Sequence, residues 1–417
     1  MITKVEIENY KSLENLSIEL GRFNVLIGEN GCGKTNILES LIFSAAGAGE
    51  KVENDFIALR GGRVTEPQFY RTGFDKQNVN GSIKIRLIDK KENKLEQTFR
   101  NDNTPFSKWI HILTVEPNSK PDAFEEFLKV DYIKKYFDIN VKDNEIRLKS
   151  DISANSLDES FKNELPEILI HLQKLLNTTN ALNALNESGT DTWAESFPIY
   201  SYIIYAPENF FLRNVSVNET FVEPLGYKGE GLLRLIKVIK KENPEEYKEI
   251  IHHLHLIDWF ENFEVNEDIN ADSEFTLSDK YLEDGLKSFD IRNANEGFLF
   301  VLFYLTIFIS DYTPKFFAID NIDTALNPKL CSKLISVLAE LAKKHDKQVI
   351  ITTHNPSVLD GLNLNDDEQR LFVIARNKTG RTRATRIEKK EAVNGTAPVK
   401  LSEQFLRGYI GGLPKNF

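Results

Sequence analysis

The chain has 417 residues, more than a single hydrophobic core usually holds, so we expect two or three lobes. A share of 41% hydrophobic and 28% charged residues excludes wholesale disorder and is typical of a globular protein. The net charge of -11 argues against a general nucleic-acid-binding surface, and two cysteines are too few for a disulfide framework or a cysteine metal site.

The N-terminal residues 1–8 alternate apolar and charged side chains, as in a β-strand. They lack the basic-then-apolar order of a signal peptide. The longest uncharged stretch near the C-terminal half, residues 297–310, is too short to cross a bilayer as a helix, which needs roughly 20 residues. We therefore expect a cytoplasmic protein with no membrane partner.

Residues 28–35 match the phosphate-binding pattern G-x-x-x-x-G-K-[ST] at every fixed position. The apolar run 23–27 predicts a buried strand before this loop, and residues 36–42 predict a helix after it. Glycines let backbone N–H groups converge on phosphate oxygens at the positive end of that helix. Lys34 is expected to reach the β- and γ-phosphates of ATP, and the Thr35 hydroxyl to bind Mg²⁺. The residues expected to contact the nucleotide are Asn30, Gly31, Gly33, Lys34, Thr35 and Asn36.

Two segments with strand-like alternation follow the P-loop helix. Residues 81–88 and 94–99 flank a charged turn, which predicts a β-hairpin. This hairpin completes a first lobe, residues 1–95, which carries the P-loop.

The next region, residues 96–284, is predicted to be a mainly helical insertion. Residues 160–172 contain proline and acidic residues followed by apolar residues at helical spacing, which predicts a helix. Residues 228–262 form a second charged stretch that is predicted to be helical. Residues 205–213 enter the core through a proline turn and end in Arg213, which is a candidate for sensing nucleotide.

Residues 285–375 are predicted to return to the ATPase head. A helix buried on most sides comes first, at about 297–310, and two apolar strands follow at 314–320 and 348–354. A helix over 330–344 connects these strands, and such crossovers join parallel strands of one sheet.

A basic stripe follows in the C-terminal segment 376–417, where residues 378–381 predict the turn of a β-hairpin. The stripe fits a contact to nucleic-acid phosphates or to an acidic partner, and it fits a solvated hairpin equally well. Its members are Arg376, Lys378, Arg381, Arg383, Arg386, Lys389 and Lys390.

The residue runs 5–13 and 23–31 resemble the head domain of the SMC, RecF and OLD group of ABC-type ATPases. The resemblance covers roughly residues 1 to 90 and 285 to 375. It implies an α/β P-loop NTPase head, with a mixed or parallel sheet and flanking helices, that is assembled from both ends of the chain around the insertion. Family members bind ATP between two heads, so we expect a homodimer or a higher oligomer.

The resemblance also implies a signature motif that faces the P-loop of the other subunit. The usual motif is a serine, any residue and a glycine at a helix N-terminus. Here Asn295 stands in the serine position and Gly297 is retained. An asparagine can still donate a hydrogen bond to a γ-phosphate, and the glycine still permits close approach.

Four further residues are the expected catalytic set. Asp320 ends an apolar strand, where a P-loop protein presents the carboxylate that holds Mg²⁺ through water, with Thr35 as the other metal ligand. The family usually places a glutamate next, as the base that polarises the attacking water, yet this chain has Asn321. Asp323 is the nearest carboxylate that could replace it. His354 matches the switch histidine that contacts the γ-phosphate, although a histidine that caps a strand end is the simpler alternative.

The missing glutamate predicts a slow ATPase, because general-base assistance is typically worth 10²–10⁴-fold. We expect a dimerising switch that controls a separately encoded effector such as a nuclease, similar to the ATPase components of bacterial anti-phage systems. The alternative is a DNA-repair ATPase of the RecF or SMC type with DNA-stimulated turnover, which keeps nucleic acid as a possible partner. A transporter nucleotide-binding subunit is the third and weakest interpretation.

Overall fold

The computed structural model describes residues 1–49, 51–104, 107–116, 137–140, 145–148, 197–214, 224–265, 275–388 and 399–412. The strands are β1 (Ile2–Tyr10), β2 (Leu13–Glu19), β3 (Phe23–Ile27), β4 (Ile83–Asp89), β5 (Lys94–Arg100), β6 (Ile110–Glu116), β7 (Phe137–Asn140), β8 (Glu145–Leu148), β9 (Ile204–Tyr205), β10 (Phe260–Val265), β11 (Phe275–Asp279), β12 (Ser288–Asp290), β13 (Phe316–Ile319), β14 (Gln348–Thr352), β15 (Gln369–Arg376) and β16 (Thr382–Ile387). The helices are α1 (Lys34–Ala48), α2 (Asn54–Leu59), α3 (Lys76–Val79), α4 (Asn209–Arg213), α5 (Leu232–Glu242), α6 (Pro244–Leu254), α7 (Glu296–Ile309), α8 (Pro328–Lys344), α9 (Pro356–Leu359) and α10 (Leu401–Leu406). Short 3₁₀ turns cover Pro67–Tyr70 and Ile291–Asn293.

A six-stranded sheet forms the centre of the head, in the order β16-β15-β3-β14-β13-β9. All neighbouring pairs are parallel except β15 with β16, which pair antiparallel. The register places Phe317 beside Val349 and Ile351 beside Val25. The two apolar strands predicted around 314–320 and 348–354 are therefore parallel neighbours, as expected from the helix α8 between them.

Successive residues of the central strands point into two different cores, as the two-residue period of a strand requires. Phe317 and Ile351 pack into a core on the face of α5, α6, α7 and α8. Phe316 and Ile350 pack into a second core with α1 and the N-terminal strands. The P-loop strand β3 contributes to both, so it lies in the middle of a three-layer head.

The second sheet is antiparallel, with the order β2-β1-β4-β5-β6, and it covers α1. Its β4–β5 hairpin aligns Ile85 with Gln97 and confirms the hairpin predicted from the alternation. The small sheet β10-β11-β12 and the pair β7-β8 complete the strands of the described residues.

The described part of residues 96–284 also contributes strands to the head, which the sequence pattern did not indicate. Strand β6 extends the antiparallel sheet, and the two-residue strand β9 pairs with β13 at the edge of the central sheet. Helices α5 and α6 match the helical stretch predicted at 228–262. The helix predicted at 160–172 lies outside the described residues, and the division of the chain into domains stays a prediction.

Helix α7 is enclosed in the core, as its unbroken apolar sequence predicts. Every residue from Phe298 to Ile309 is buried. At the C-terminal end of the helix, the buried Lys347 donates hydrogen bonds to the Ser310 carbonyl (2.6 Å) and the Thr313 carbonyl (2.8 Å). Burial lowers the pKa of Lys347 to about 7. Within the part of the chain that the structure describes, no helix has both the length and the apolarity that a bilayer crossing requires.

Candidate functional site

The P-loop connects the end of β3 to the start of α1, and glycines are required at two of its positions. Gly28 has φ of 150°, and a Cβ there would lie 2.1 Å from the Ile374 carbonyl oxygen. Gly33 has φ of 110°, and a Cβ there would lie 2.3 Å from the Thr382 hydroxyl. The P-loop therefore packs directly against β15 and the start of β16.

Hydrogen bonds from distant segments hold this loop in place. The Thr382 hydroxyl donates to the Cys32 carbonyl (2.8 Å) and lies 2.7 Å from the Ser12 hydroxyl. The Asn36 side-chain amide donates to Ser12 Oγ (2.8 Å), and Arg376 Nε donates to the Gly31 carbonyl (2.8 Å). Sequence reasoning missed Ser12 and Thr382, because no local pattern connects residues 370 positions apart.

The N-terminus of α1 is open toward the P-loop. Its N-cap is Gly33, which offers no side-chain cap, and its first turn contains no acidic residue. The Lys34 ammonium donates to the carbonyls of Gly28 (2.8 Å) and Glu29 (3.0 Å). Burial lowers the pKa of Lys34, and the charge of Asp320 opposes that shift. The N-terminus of α1 and the Lys34 ammonium therefore lie together at the P-loop, and positive charge of this kind suits an anion.

Asp320 lies at the carboxyl end of β13, beside the first turn of α1. Its Oδ2 lies 3.5 Å from the Thr35 hydroxyl, and its Oδ1 accepts a hydrogen bond from the Thr352 hydroxyl. A carboxylate and a hydroxyl oxygen side by side suit a hard cation such as Mg²⁺. The donor set of Thr35 and Asp320 thus fits the metal that the sequence predicts.

The residues around the expected base adopt an unusual backbone. Asn321 is exposed, has φ of 57°, and its N–H donates to the Thr352 hydroxyl (2.9 Å). Asparagine tolerates this left-handed region better than most residues do. The Asp323 carboxylate accepts a hydrogen bond from the Thr353 hydroxyl (2.6 Å), next to His354.

His354 is exposed just after the end of β14, and the charges of the site change its pKa. Desolvation and the repulsion from Lys34 lower its pKa, while the attraction of Asp323 and Asp320 opposes this shift. The structure therefore brings the P-loop lysine, both aspartates and this histidine to one edge of the central sheet. Thr352 and Thr353 join them, and their position just before His354 was the one signal that could have identified them.

The residues predicted to form the signature motif lie elsewhere, at the start of α7. The exposed Asn295 caps this helix, because its Oδ1 accepts a hydrogen bond from the Phe298 N–H (2.8 Å). A Cβ on Gly297 would lie 3.2 Å from the carbonyl of Ala325, which itself has φ of 60°. Among the described residues, no hydrogen bond joins Asn295 or Gly297 to the P-loop of the same chain.

A charge cluster on the first turns of α1 was not found by sequence reasoning. The buried Glu39 carboxylate accepts hydrogen bonds from Lys11 Nζ (2.5 Å) and Arg63 Nε (2.7 Å). Burial raises the pKa of the Glu39 carboxyl, but the two cations lower it overall. Arg63 Nη2 also donates to Asn36 Oδ1 (2.9 Å), so the cluster reaches the residue after Thr35.

The basic stripe forms the predicted hairpin, and two of its five described members form ion pairs. Strands β15 and β16 flank a turn in which Gly380 has φ of 81°. Arg381 forms an ion pair with Glu14, and Arg386 with Asp367. Lys389 and Lys390 lie outside the described residues. Arg213, the other basic candidate, donates to the Arg292 carbonyl on the approach to α7.

Comparison with known proteins agrees with this geometry. A sequence profile of the AAA ATPase domain matches residues 1–359. The chain is 25% identical over 213 residues to a DNA double-strand break repair Rad50 ATPase of Methanococcus maripaludis, across 45% of this chain and 21% of that protein. It is 26% identical over 115 residues to the DNA replication and repair protein RecF of Bacillus cereus, across 27% of this chain and 30% of that protein. The chain spans about a fifth to a third of the length of these relatives.

A solved structure of an Smc head bound to the C-winged helix domain of ScpA has the same fold. It matches with a TM-score of 0.54 at 12% identity, across 94% of this chain and 99% of that chain. At this identity the likeness concerns the fold alone. It confirms the α/β head expected from the resemblance of residues 5–13 and 23–31.

Proposed function

Because this chain belongs to the AAA ATPase domain family, we propose that it binds ATP and hydrolyses it slowly, as a head that dimerises around the nucleotide. The observation that carries this proposal is the P-loop on the open N-terminus of α1, with Thr35 3.5 Å from Asp320. Phosphate oxygens and a divalent cation are the ligands that such an arrangement binds.

The roles of the residues follow from their positions. The glycine loop and the α1 N-terminus bind the phosphates through backbone N–H groups, and Lys34 neutralises their charge. Thr35 and Asp320 would hold Mg²⁺, which when bound neutralises charge on the phosphate oxygens. Thr352 orients Asp320 through a hydrogen bond to Oδ1.

Slow turnover is proposed because the position after Asp320 lacks a base. The Asn321 amide cannot take a proton from water. Asp323 is the candidate substitute, and Thr353 holds its carboxylate through a 2.6 Å hydrogen bond beside His354. His354, with its lowered pKa, is neutral at physiological pH and can accept or donate a hydrogen bond at the γ-phosphate.

We propose that a second copy completes the site. Asn295 and Gly297 lie beside the loop at Ala325 and have no hydrogen bond to their own P-loop among the described residues. The lack of such a hydrogen bond supports a site in which the predicted signature of one chain faces the P-loop of the other. The start of α7 is the N-terminus of a 14-residue helix, whose dipole favours a phosphate group, although the carboxylate of Glu296 in the first turn opposes an anion there.

The closed dimer would act as a switch on a separately encoded effector such as a nuclease, in anti-phage defence. The alternative, a DNA-repair ATPase, is supported by the two relatives named for DNA repair. Pairing of Arg381 and Arg386 with acidic residues leaves less free positive charge on the hairpin for DNA. We therefore favour the switch, with DNA-stimulated turnover as the observation that would favour repair.

Steady-state ATP hydrolysis with and without DNA, together with light scattering for mass, tests this proposal. Slow hydrolysis and an ATP-dependent doubling of mass are expected, and both should vanish in Lys34→Ala. Rapid hydrolysis that DNA stimulates would favour the repair function. No binding of ATP by the wild-type chain would overturn both.

A further inference from the structure

The hairpin β15–β16 contacts the P-loop with two side chains that donate to successive main-chain carbonyls. Arg376, the last residue of β15, donates through Nε to the Gly31 carbonyl (2.8 Å). Thr382, the first residue of β16, donates through its hydroxyl to the Cys32 carbonyl (2.8 Å). The two donors are partners in the register of the hairpin, so they lie side by side. Both come from beyond residue 359, where the match to the AAA ATPase domain ends.

A held carbonyl also fixes the N–H group on the other side of the same peptide bond. A trans peptide is planar, so its C=O and its N–H point in opposite directions. Thr382 thus orients the N–H of Gly33, and Arg376 orients the N–H of Cys32. The Cys32 N–H makes a long hydrogen bond, 3.4 Å from the Glu29 carbonyl oxygen. Backbone N–H groups of a loop, turned to one side, are what a P-loop offers to phosphate.

Thr382 is the last donor in a chain of side-chain hydrogen bonds that run in one direction. Its single proton goes to the Cys32 carbonyl, so its oxygen accepts from the Ser12 hydroxyl, 2.7 Å away. The Asn36 amide donates to Ser12 (2.8 Å), and its own oxygen accepts from the Arg63 guanidinium (2.9 Å). Ser12 is 5% exposed and Thr382 is 1% exposed. Hydrogen bonds in such a buried chain strengthen one another.

The second fixed glycine of the P-loop pattern leaves room for this chain. A Cβ on Gly33 would lie 2.3 Å from the Thr382 hydroxyl and 2.8 Å from the Ser12 hydroxyl, closer than real Cβ atoms approach. The same glycine has a φ of 110°, which residues with a side chain rarely adopt. Gly33 therefore serves both the turn of the loop and the hydrogen bond from the hairpin.

We propose that Thr382 and Arg376 are positioning residues for the P-loop. They hold two carbonyls of the loop away from the nucleotide, so that the N–H groups of Gly33 and Cys32 face its phosphates before it binds. The proposal rests on the nucleotide binding proposed above. It adds that the hairpin sets the affinity for ATP. Since the N–H groups bind the phosphates before and during the reaction, losing their orientation raises KM and leaves kcat unchanged.

Thr382→Val tests this role, because it keeps the branched shape of the side chain and removes the hydroxyl. The Kd for ATP would be measured by calorimetry on the full chain, and KM and kcat by phosphate release. Both Kd and KM should rise about tenfold, because the buried Cys32 carbonyl loses its donor. Thr382→Ser keeps the hydroxyl and should bind ATP as the wild type does. Thr385→Val, at an exposed position of the same strand, should change neither constant.

A double variant tests the chain of hydrogen bonds. Ser12→Ala should also weaken ATP binding. Adding it to Thr382→Val should weaken binding no further, because both residues act through one carbonyl. Effects that add in full would overturn the chain.

The charge of Arg376 needs its own control. Arg376→Met should raise the Kd for ATP several-fold, whereas Lys378→Met removes an exposed charge from the same hairpin and should not. Equal weakening by both would overturn the role of Arg376.

Wild-type ATP affinity in Thr382→Val, even with a lower melting temperature, would overturn the positioning role while the P-loop assignment stands. A lower kcat with an unchanged Kd would overturn it as well. Failure of the wild type to bind ATP would overturn the nucleotide site itself.

Discussion

Replacing Asn321 with glutamate should accelerate ATP hydrolysis, because it restores a proton acceptor directly after Asp320. A positioned general base is typically worth 10²–10⁴-fold in rate. The backbone at residue 321 opposes part of this gain, since φ is 57° and residues other than glycine, asparagine and aspartate lose about 1 kcal/mol there. If that strain raised the free energy of the transition state alone, it would lower kcat roughly fivefold. The net expectation is an increase of at least about tenfold in kcat.

The assay is phosphate release at saturating ATP, with ATP binding measured separately. Asn321→Gln is the matched control, because it has the same length and the same backbone strain but cannot take a proton. Both variants should lose about 1 kcal/mol of unfolding free energy, and only the glutamate variant should gain rate. An unchanged kcat in Asn321→Glu with normal ATP affinity would refute the reasoning. In that case Asp323→Asn should abolish the residual turnover, since another base already serves.

Three other substitutions test the described contacts. Lys34→Ala should abolish ATP binding, and tight binding measured by calorimetry in that variant would remove the P-loop assignment. Glu39→Gln should lower the free energy of unfolding, measured in urea, by about 2 kcal/mol, because it leaves Lys11 and Arg63 without their buried counter-charge. This value is smaller than for a fully buried ion pair because the Arg63 side chain is largely exposed. The folded-state pKa of Glu39 is lowered, so its contribution to the free energy of unfolding is fully present above pH 4.5 and is lost as the pH falls through the folded pKa. The Glu39→Gln variant should lack this part of the decrease in stability at acidic pH. Ala325→Gly should raise the melting temperature, because a φ of 60° strains the alanine backbone by about 1 kcal/mol. An unchanged or lower melting temperature would contradict this prediction.

The features that the sequence predicted correctly are those whose information is local. The P-loop occupies residues 28–35 without a break, and its strand and helix follow from the apolar runs beside it. The hairpin β4–β5 and the enclosed helix α7 are likewise visible as periods of two and as an unbroken apolar run. The place of Asp320 at a strand end follows from the same logic.

The strands within residues 96–284 were missed for the opposite reason. Strand β9 has only two residues, and it exists because β13, more than a hundred residues later, offers it a parallel partner. Strand β6 forms on the free edge of β5. A short strand gains its stability from its neighbour in the sheet, so its own residues carry a weak signal.

The sequence alone predicted the phosphate loop, the carboxylate at the end of β13 and, as a hypothesis, the lack of a base at Asn321. Only the tertiary structure decided what supports them: the hydrogen bond of the Thr382 hydroxyl to the Cys32 carbonyl, and the ion pairs of Glu39 with two cations. The physical reason is that a hydrogen bond or an ion pair depends on which distant segments meet. That meeting is set by the packing of whole sheets and helices, and no local pattern of residues records it.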